Sequence, residues 1–460
     1  MNKQTDVTQL EFVGLCTTIK YDQGKEAWGI SKGESNITGI SKAYPASYAL
    51  GRHNWTIYGD KTCSEDSPSY TTELKLSGCK DGNFTCNDGQ CIKMSQRCDQ
   101  LPDCRDKSDE RNCDILVLED GYNKNVVPVP IVLDHSKRGP VNVSVSLDLL
   151  KLVNIDEPSY SIEIQFEIVL QWKENRATFQ NLKPNTSLNA LTQKDIEKLW
   201  LPKVIYENTN QKETTRLGTI WEWETYVVVK REGNFTRSGP DTLDEVEVFK
   251  GVENSLIMSQ TYTHKFQCSF ILTRYPFDKQ TCSIDMTMET LVMTSVTLIP
   301  DRLVMSQQLD MHIFKITDWS LHHKTDRNGN AGLRMDVVLK RKIVSEMMTT
   351  YFPSILLTAI TFATTFFKPF FFEAALSVNL TTMLVMTTIF ISKMEVLPPT
   401  SDIKMIDIWL ILCQMVPFAE VVLLTAREYH REDENEEVEE SMEKSNSNKS
   451  WIPVLRTLGE

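Results

Sequence analysis

The chain has 460 residues, 11 of them cysteine, 41% hydrophobic, and 62 acidic residues against 49 basic ones give a net charge of −13. That length exceeds a single hydrophobic core and predicts two or three domains. The acidic balance argues against a nucleic-acid partner. Neither a nucleophile–base pattern nor a catalytic metal spacing supports an enzyme.

The first residues, MNKQTDVTQLEFVGLC, lack the charged-then-apolar pattern of a signal peptide, so a truncated start is expected for a chain otherwise fitted to secretion. Residues 1–78 are an unassigned extracellular segment. Its strand-like patch HNWTIYGDKTC suggests the remnant of a lectin-like or adhesive domain. Asn36, Asn54, Asn83, Asn142, Asn185 and Asn234 open glycosylation sequons, all ahead of the first long apolar segment. Matches at Asn379 and Asn448 fall in an apolar segment and on the expected cytosolic side, and are discounted.

Residues 79–113 hold Cys79, Cys86, Cys91, Cys98, Cys104 and Cys113. So short a unit cannot bury a sufficient core and needs covalent staples, which places it in an oxidising compartment. Its second half, CDQLPDCRDKSDERNC, clusters acids suited to a hard, oxygen-ligated cation.

Residues 114–341 alternate apolar and polar positions, as in VNVSVSLDLLKLV and YSIEIQFEIVLQW, and predict an all-β sandwich. The one helix-like stretch there is Thr192 to Leu199. Cys268 and Cys282 enclose Tyr275-Pro276-Phe277-Asp278, an aromatic knob with a charge at its tip. A bridge between them closes a loop worth about 3 kcal/mol in chain entropy.

Past Lys340 the composition changes, and residues 342–426 read as a transmembrane region with spans at about 347–367, 374–391 and 405–424. Arg427, His430 and Arg431 place the end of the third span in the cytosol, which leaves the N-terminal part outside. Residues 427–460 are then an acidic cytoplasmic tail, whose run Glu432 to Glu440 reads as solvated. In the second span Glu373, Ser377, Thr381, Leu384, Thr388, Ile391 and Glu395 share one helical face. Hydroxyls aligned with carboxylates suit a water-filled axis, with Leu384 as an apolar constriction.

Three features together resemble the Cys-loop, or pentameric ligand-gated, ion channels: the Cys268–Cys282 loop with its YPFD core, the segment LTTMLVMTT, and the link LPPTSDIKMIDIW. Pro353 lies inside the first span, as in the family's first helix, and Arg341 stands where the family keeps an arginine between sandwich and membrane. The resemblance implies a Cys268–Cys282 disulfide and an electrostatic coupling between Asp278 and Arg341, joined by Asp156 or Glu157 of the turn NIDEPS. It implies agonist binding between sandwiches, with Trp172, Trp200 and Tyr206 as candidate ligand residues and core tryptophans as the competing reading. The aromatic expected after Cys282 is absent from CSIDMTMETLVM, so an acetylcholine-type cage is incomplete. His322 and His323 lie near the hairpin and could bind zinc or protons, roles that exposed loop histidines seldom fill. Anion-selective members carry Pro-Ala-Arg at the cytosolic mouth, where this chain has Glu373-Ala374-Ala375, so cation selectivity is expected.

Residues 79–113 resemble an LDL-receptor class A repeat. This implies disulfides Cys79–Cys91, Cys86–Cys104 and Cys98–Cys113, and calcium held by side chains of Asp99, Asp103, Asp109 and Glu110 with carbonyls of Gln96 and Leu101. The combined expectation is a plasma-membrane, multi-pass subunit of a homo- or hetero-pentamer in contact with lipid, with its N-terminus outside and a postsynaptic setting in view. It answers to a small-molecule agonist and has no nucleic-acid partner. The family's fourth helix is missing from the sequence read this way. A non-conducting, dominant-negative subunit is therefore one alternative, and an adhesion or endocytic receptor built on the repeat is the other.

Overall fold

A computed structural model describes residues 9–12, 17–22, 26–32, 38–42, 49–58, 69–128, 139–209, 226–238, 242–288, 296–305, 313–325, 331–398 and 402–449. Asn36, the tip of the hairpin after Thr325, the stretch 289–295 beyond Cys282 and residues 399–401 of the LPPTSD link lie outside them.

The N-terminal strands β1 (Gln9–Phe12), β2 (Thr17–Asp22), β3 (Ala27–Lys32), β4 (Thr38–Ser41), β5 (Gly51–Tyr58) and β6 (Ser69–Leu76) pair in sequence order as a six-stranded antiparallel meander. It has its own small core of Ile19, Trp28, Ala49, Trp55 and Ile57. The cysteine-rich unit adds a hairpin of β7 (Asn83–Thr85) and β8 (Cys91–Lys93) and two short 3-10 turns, Met94–Gln96 and Ser108–Glu110, around Phe84, Ile92 and Met94. Three disulfides, Cys79–Cys91, Cys86–Cys104 and Cys98–Cys113, supply what so small a core cannot.

The sandwich begins with β9 (Leu116–Leu118), β10 (Val141–Asp156), β11 (Ser161–Lys173) and β12 (Ala177–Gln180). It continues through β13 (Val204–Tyr206), β14 (Tyr226–Lys230), β15 (Phe235–Arg237), β16 (Glu247–Lys250) and β17 (Ser255–Gln267). β18 (Lys279–Met288), β19 (Val296–Met305), β20 (Phe314–Thr325) and β21 (Ala331–Arg341) complete it. Its sheets run β14-β17-β11-β10-β19, β13-β18-β21-β20 and β15-β16-β12-β9. Alternation decides the faces: Ile162, Ile164, Phe166, Ile168, Leu170 and Trp172 of β11 all point inward, each at most 1% exposed. The expected helix from Thr192 to Leu199 shrinks to α1 (Gln193–Ile196), capped by the Thr192 hydroxyl accepting from the Asp195 N–H.

The chain leaves β21 almost directly for three helices long and apolar enough to cross a membrane. The first, Val344–Thr364, comprises α2 (Val344–Glu346), a π turn at Met347–Tyr351 and α3 (Phe352–Thr364). The second is α4 (Phe372–Val396). The third, α5 (Met405–Lys449), runs past the membrane-length segment without a break, so the acidic run continues a helix instead of opening into a loop. Polar pairs tie the three together: Asn379 donates to the Thr364 hydroxyl at 2.9 Å, Trp409 to Ser354 at 3.0 Å and Gln414 to Thr387 at 2.9 Å. Asn379 is fully buried, which suits its dismissal as a sequon. The sandwich core is continuous with the helices through Leu397, Ile406 and Leu410.

Candidate transmission junction and pore face

The Cys268–Cys282 disulfide, with Cα atoms 5.1 Å apart, presents the knob at the membrane end of the sandwich. Tyr275 and Asp278 are buried, while Phe277 is half exposed and leans on the Tyr351 ring of the π turn, with centroids 6.5 Å apart. The loop also reaches the third helix, because the Met405 N–H donates to the Thr273 carbonyl at 3.0 Å.

Arg341, the last residue of β21, is 4% exposed and makes two forked ion pairs. Its Nε lies 2.7 Å from Asp278 Oδ1 and one terminal nitrogen 3.1 Å from Oδ2. The other fork holds Glu157 at 2.6 and 3.1 Å. The guanidinium also sits over the Tyr275 and Phe314 rings, 4.4 Å from each centroid. Burial alone would lower its pKa, but the hydrogen bonds and charges of Asp278 and Glu157 hold it above the usual arginine value. Asp156 is not part of this cluster. It bonds Ser159, which lowers its pKa most, and Lys265 at 3.2 Å, because the adjacent strand β17 places that lysine beside it.

The geometry adds two residues that the sequence analysis does not single out, Glu346 and Lys393. The Tyr275 hydroxyl, whose pKa burial raises with help from the Glu346 charge, hydrogen-bonds Glu346 at the top of the first span. Glu346 in turn pairs with Lys393 near the end of α4 at 2.8 Å. Charged and polar groups therefore run without interruption from the loop to the second span. The signal was present only as a carboxylate and an ammonium at the ends of two apolar segments.

On α4, Glu373, Ser377, Thr381, Leu384, Thr388, Ile391 and Glu395 are all exposed, Leu384 by 65%. Ala375, Asn379, Thr382 and Met386 are buried on the opposite side against the other helices. The stripe thus lies within the broad side of α4 that the single chain leaves free, which also exposes Leu380, Val385 and Met394.

The candidate ligand residues are corrected. Trp172, Trp200 and Tyr206 are 1%, 7% and 0% exposed, all in the sandwich core. Trp172 meets Trp200 edge to face at 6.3 Å, and Tyr206 lies among Phe166, Tyr262 and Phe266. Trp172 keeps the inward phase of β11, a signal that could have assigned it to the core. Beside the β20–β21 hairpin the surface carries ion pairs instead. Lys324 lies 2.6 Å from Glu207 and 2.9 Å from Asp285, and Arg334 grips Asp285 at 2.7 and 3.0 Å. His322 and His323 are exposed, the former 3.6 Å from Asp336.

In the cysteine-rich unit the Asp109 carboxylate is fully buried. Its Oδ2 accepts from the Asp103 N–H at 2.6 Å, while Oδ1 has no partner. Glu110 accepts from the Asp99 N–H at 2.9 Å, and Asp103 accepts from the Gln96 amide at 3.0 Å. Burial raises the Glu110 pKa, and the Asp109 and Asp99 charges add to that. An orphaned buried carboxylate oxygen within an all-oxygen donor set fits a hard cation. Leu101 is 64% exposed at the edge of this loop. Of the sequons, Asn54, Asn142, Asn185 and Asn234 are exposed and Asn83 half-buried, with the Asn185 side chain also capping a short turn.

Residues 114–343 match the model of the neurotransmitter-gated ion-channel ligand binding domain, and residues 77–113 that of the low-density lipoprotein receptor domain class A. The chain belongs to the neurotransmitter-gated ion-channel family and carries a class A module ahead of the ligand domain. Among curated relatives, a glutamate-gated chloride channel subunit beta of Haemonchus contortus is 24% identical over 65% of this chain and 66% of its own length. A gamma-aminobutyric acid receptor subunit beta of Lymnaea stagnalis is 24% identical over 63% and 56%. The acetylcholine receptor subunit alpha-type deg-3 of Caenorhabditis elegans is 21% identical over 68% and 52%. The match thus spans between half and two thirds of these relatives.

Proposed function

We propose that this chain is a subunit of a pentameric ligand-gated ion channel of the plasma membrane, with the sandwich outside and α4 lining the pore. The observation that carries this reading is the exposed α4 stripe, joined to the sandwich through Lys393, Glu346, Tyr275 and the Arg341 cluster. Five such stripes around an axis give rings of hydroxyls with Leu384 as a constriction that closes by dewetting. The Arg341 pairs let the loop and the Glu157 turn move as one body against the first span.

Cation selectivity is the finer proposal. It rests on exposed carboxylates at both ends of the stripe and on the absence of an arginine in Glu373-Ala374-Ala375. Relatives named as glutamate-gated chloride channels support the channel class and not this sign. The ligand is a small molecule. An ion-paired surface of Glu207, Asp285, Lys324 and Arg334 suits one that bears both charges better than a bare cationic amine. The class A module would hold calcium through Asp99, Asp103, Asp109 and Glu110 with carbonyls of Gln96 and Leu101, and the ion would neutralise that crowd of charge.

Expressing the chain in oocytes and screening amines, amino acids and protons for current tests the reading. A ligand-evoked current whose reversal potential follows sodium is expected. A potential that follows chloride overturns the cation assignment and leaves the channel standing.

A further inference from the structure

The class A module is built into the ligand domain through Lys183, in the turn after β12. Its side chain crosses into the module, where Nζ donates to the carbonyls of Ser95 at 2.9 Å, Met94 at 3.5 Å and Arg97. These carbonyls flank Gln96, which belongs to the expected cation loop. Lys183 is only 6% exposed, and its backbone is locked in place. Its N–H donates to Asn189 at 2.7 Å, and the Asn189 amide donates to the carbonyls of Lys183 and of Val229 in β14, each at 2.9 Å. β14 pairs with β17 in the five-stranded sheet.

A second contact runs beside it. Arg97, 3% exposed, donates to the Glu245 carbonyl, and the Glu245 carboxylate accepts from the Thr85 N–H at 2.7 Å and the Thr85 hydroxyl at 2.9 Å. Glu245 also pairs with Arg52 at 3.2 Å and Lys75 at 3.3 Å, which brings in the N-terminal sheet. Arg52 and Arg97 both stack on Phe84, 4.8 and 4.6 Å from its centroid.

We propose that Lys183 is a positioning residue, lent by the sandwich, for the module's cation loop, so that calcium taken up there is sensed by the ligand domain. The proposal rests on the calcium reading given above. Calcium takes its oxygens at about 2.3–2.6 Å. Uptake would bring the Asp99, Asp103, Asp109 and Glu110 carboxylates to that distance of one centre. The loop's carbonyls are fixed to Lys183 and its Arg97 to Glu245, and movement there is resisted by β14 and by the strand that follows Glu245. A coupling of this kind is reciprocal, so a change in the sandwich also alters calcium affinity.

Hydrogen exchange on the full-length chain in detergent, with and without calcium, tests the proposal beside calorimetric calcium titration. Calcium is expected to slow exchange in residues 181–189 and 226–230, as well as in the module, by at least about fivefold, the lower end of ordinary site-to-site coupling. In Lys183→Met the module still takes up calcium, with an altered affinity as reciprocity requires, and the sandwich response disappears. Uptake with slowing confined to residues 77–113 overturns the coupling and leaves the calcium reading intact. No uptake overturns both. Should Lys183→Met fail to fold, the wild-type comparison of calcium with magnesium decides alone: slowing of the sandwich segments by calcium but not magnesium supports the proposal, and no slowing overturns it.

Discussion

Arg341 bears the heaviest electrostatic load of any side chain described here, since two carboxylates and two rings surround a cation that water hardly reaches. Removing it leaves Asp278, 3% exposed, as a buried charge. Arg341→Ala should therefore destabilise the folded chain by about 3–5 kcal/mol, the cost of breaking a buried pair from one side. Thermal unfolding in detergent measures it, and Arg341→Lys should recover only part of the loss because an ammonium cannot fork to both carboxylates. Asp285 gives a pH prediction. Burial would raise its pKa, but Arg334 and Lys324 outweigh that and lower it. A lowered folded value contributes stability that is present above the ordinary aspartate pKa of about 3.9 and lost as pH falls through the lowered value. The difference in melting temperature between wild type and Asp285→Asn should hold at pH 5–7 and shrink below about pH 3.9.

At the scale of elements, α4 shows how far a pattern carries. Its seven-residue stripe was legible because helical period alone decides which residues share a face. The same logic applied to β11 puts Trp172 inside, whereas family likeness had drawn it toward the ligand. The Glu346–Lys393 pair was hidden, since 47 residues separate its partners and neither segment predicts where the other will pack. Neutralising the two charges, singly and together, tests that pair. Glu346→Gln and Lys393→Met should each disturb thermal stability or gating, and the double variant should do less harm than the sum, as coupled neighbours do. Additive effects would show the pair to be incidental. The helix end was missed for a related reason: an acidic run reads as solvated whether it is coiled or helical, and α5 continues through it.

At the scale of the whole molecule, the two recognised parts were legible from cysteine spacing and β alternation, and their junction was not. Glu245 and Thr85 are 160 residues apart in sequence and Lys183 and Arg97 are 86 apart, so no local pattern announces either contact. Gly51 is part of the same fit. Its φ of +108° and the Asn87 carbonyl, 2.0 Å from where a Cβ would sit, leave room for no other residue where β5 meets the module. Glu245→Ala should loosen the first 113 residues from the sandwich, and limited proteolysis should then release them while residues 114–341 survive.

The claim on which the account turns is that the exposed face of α4 lines an ion path. Wetting the constriction with Leu384→Ser should give current without any ligand. In that background, cells expressing Thr381→Cys should lose the current to a charged, water-soluble thiol reagent, while cells expressing Met386→Cys should keep it. Equal block at both positions, or none at Thr381→Cys, would contradict the pore assignment.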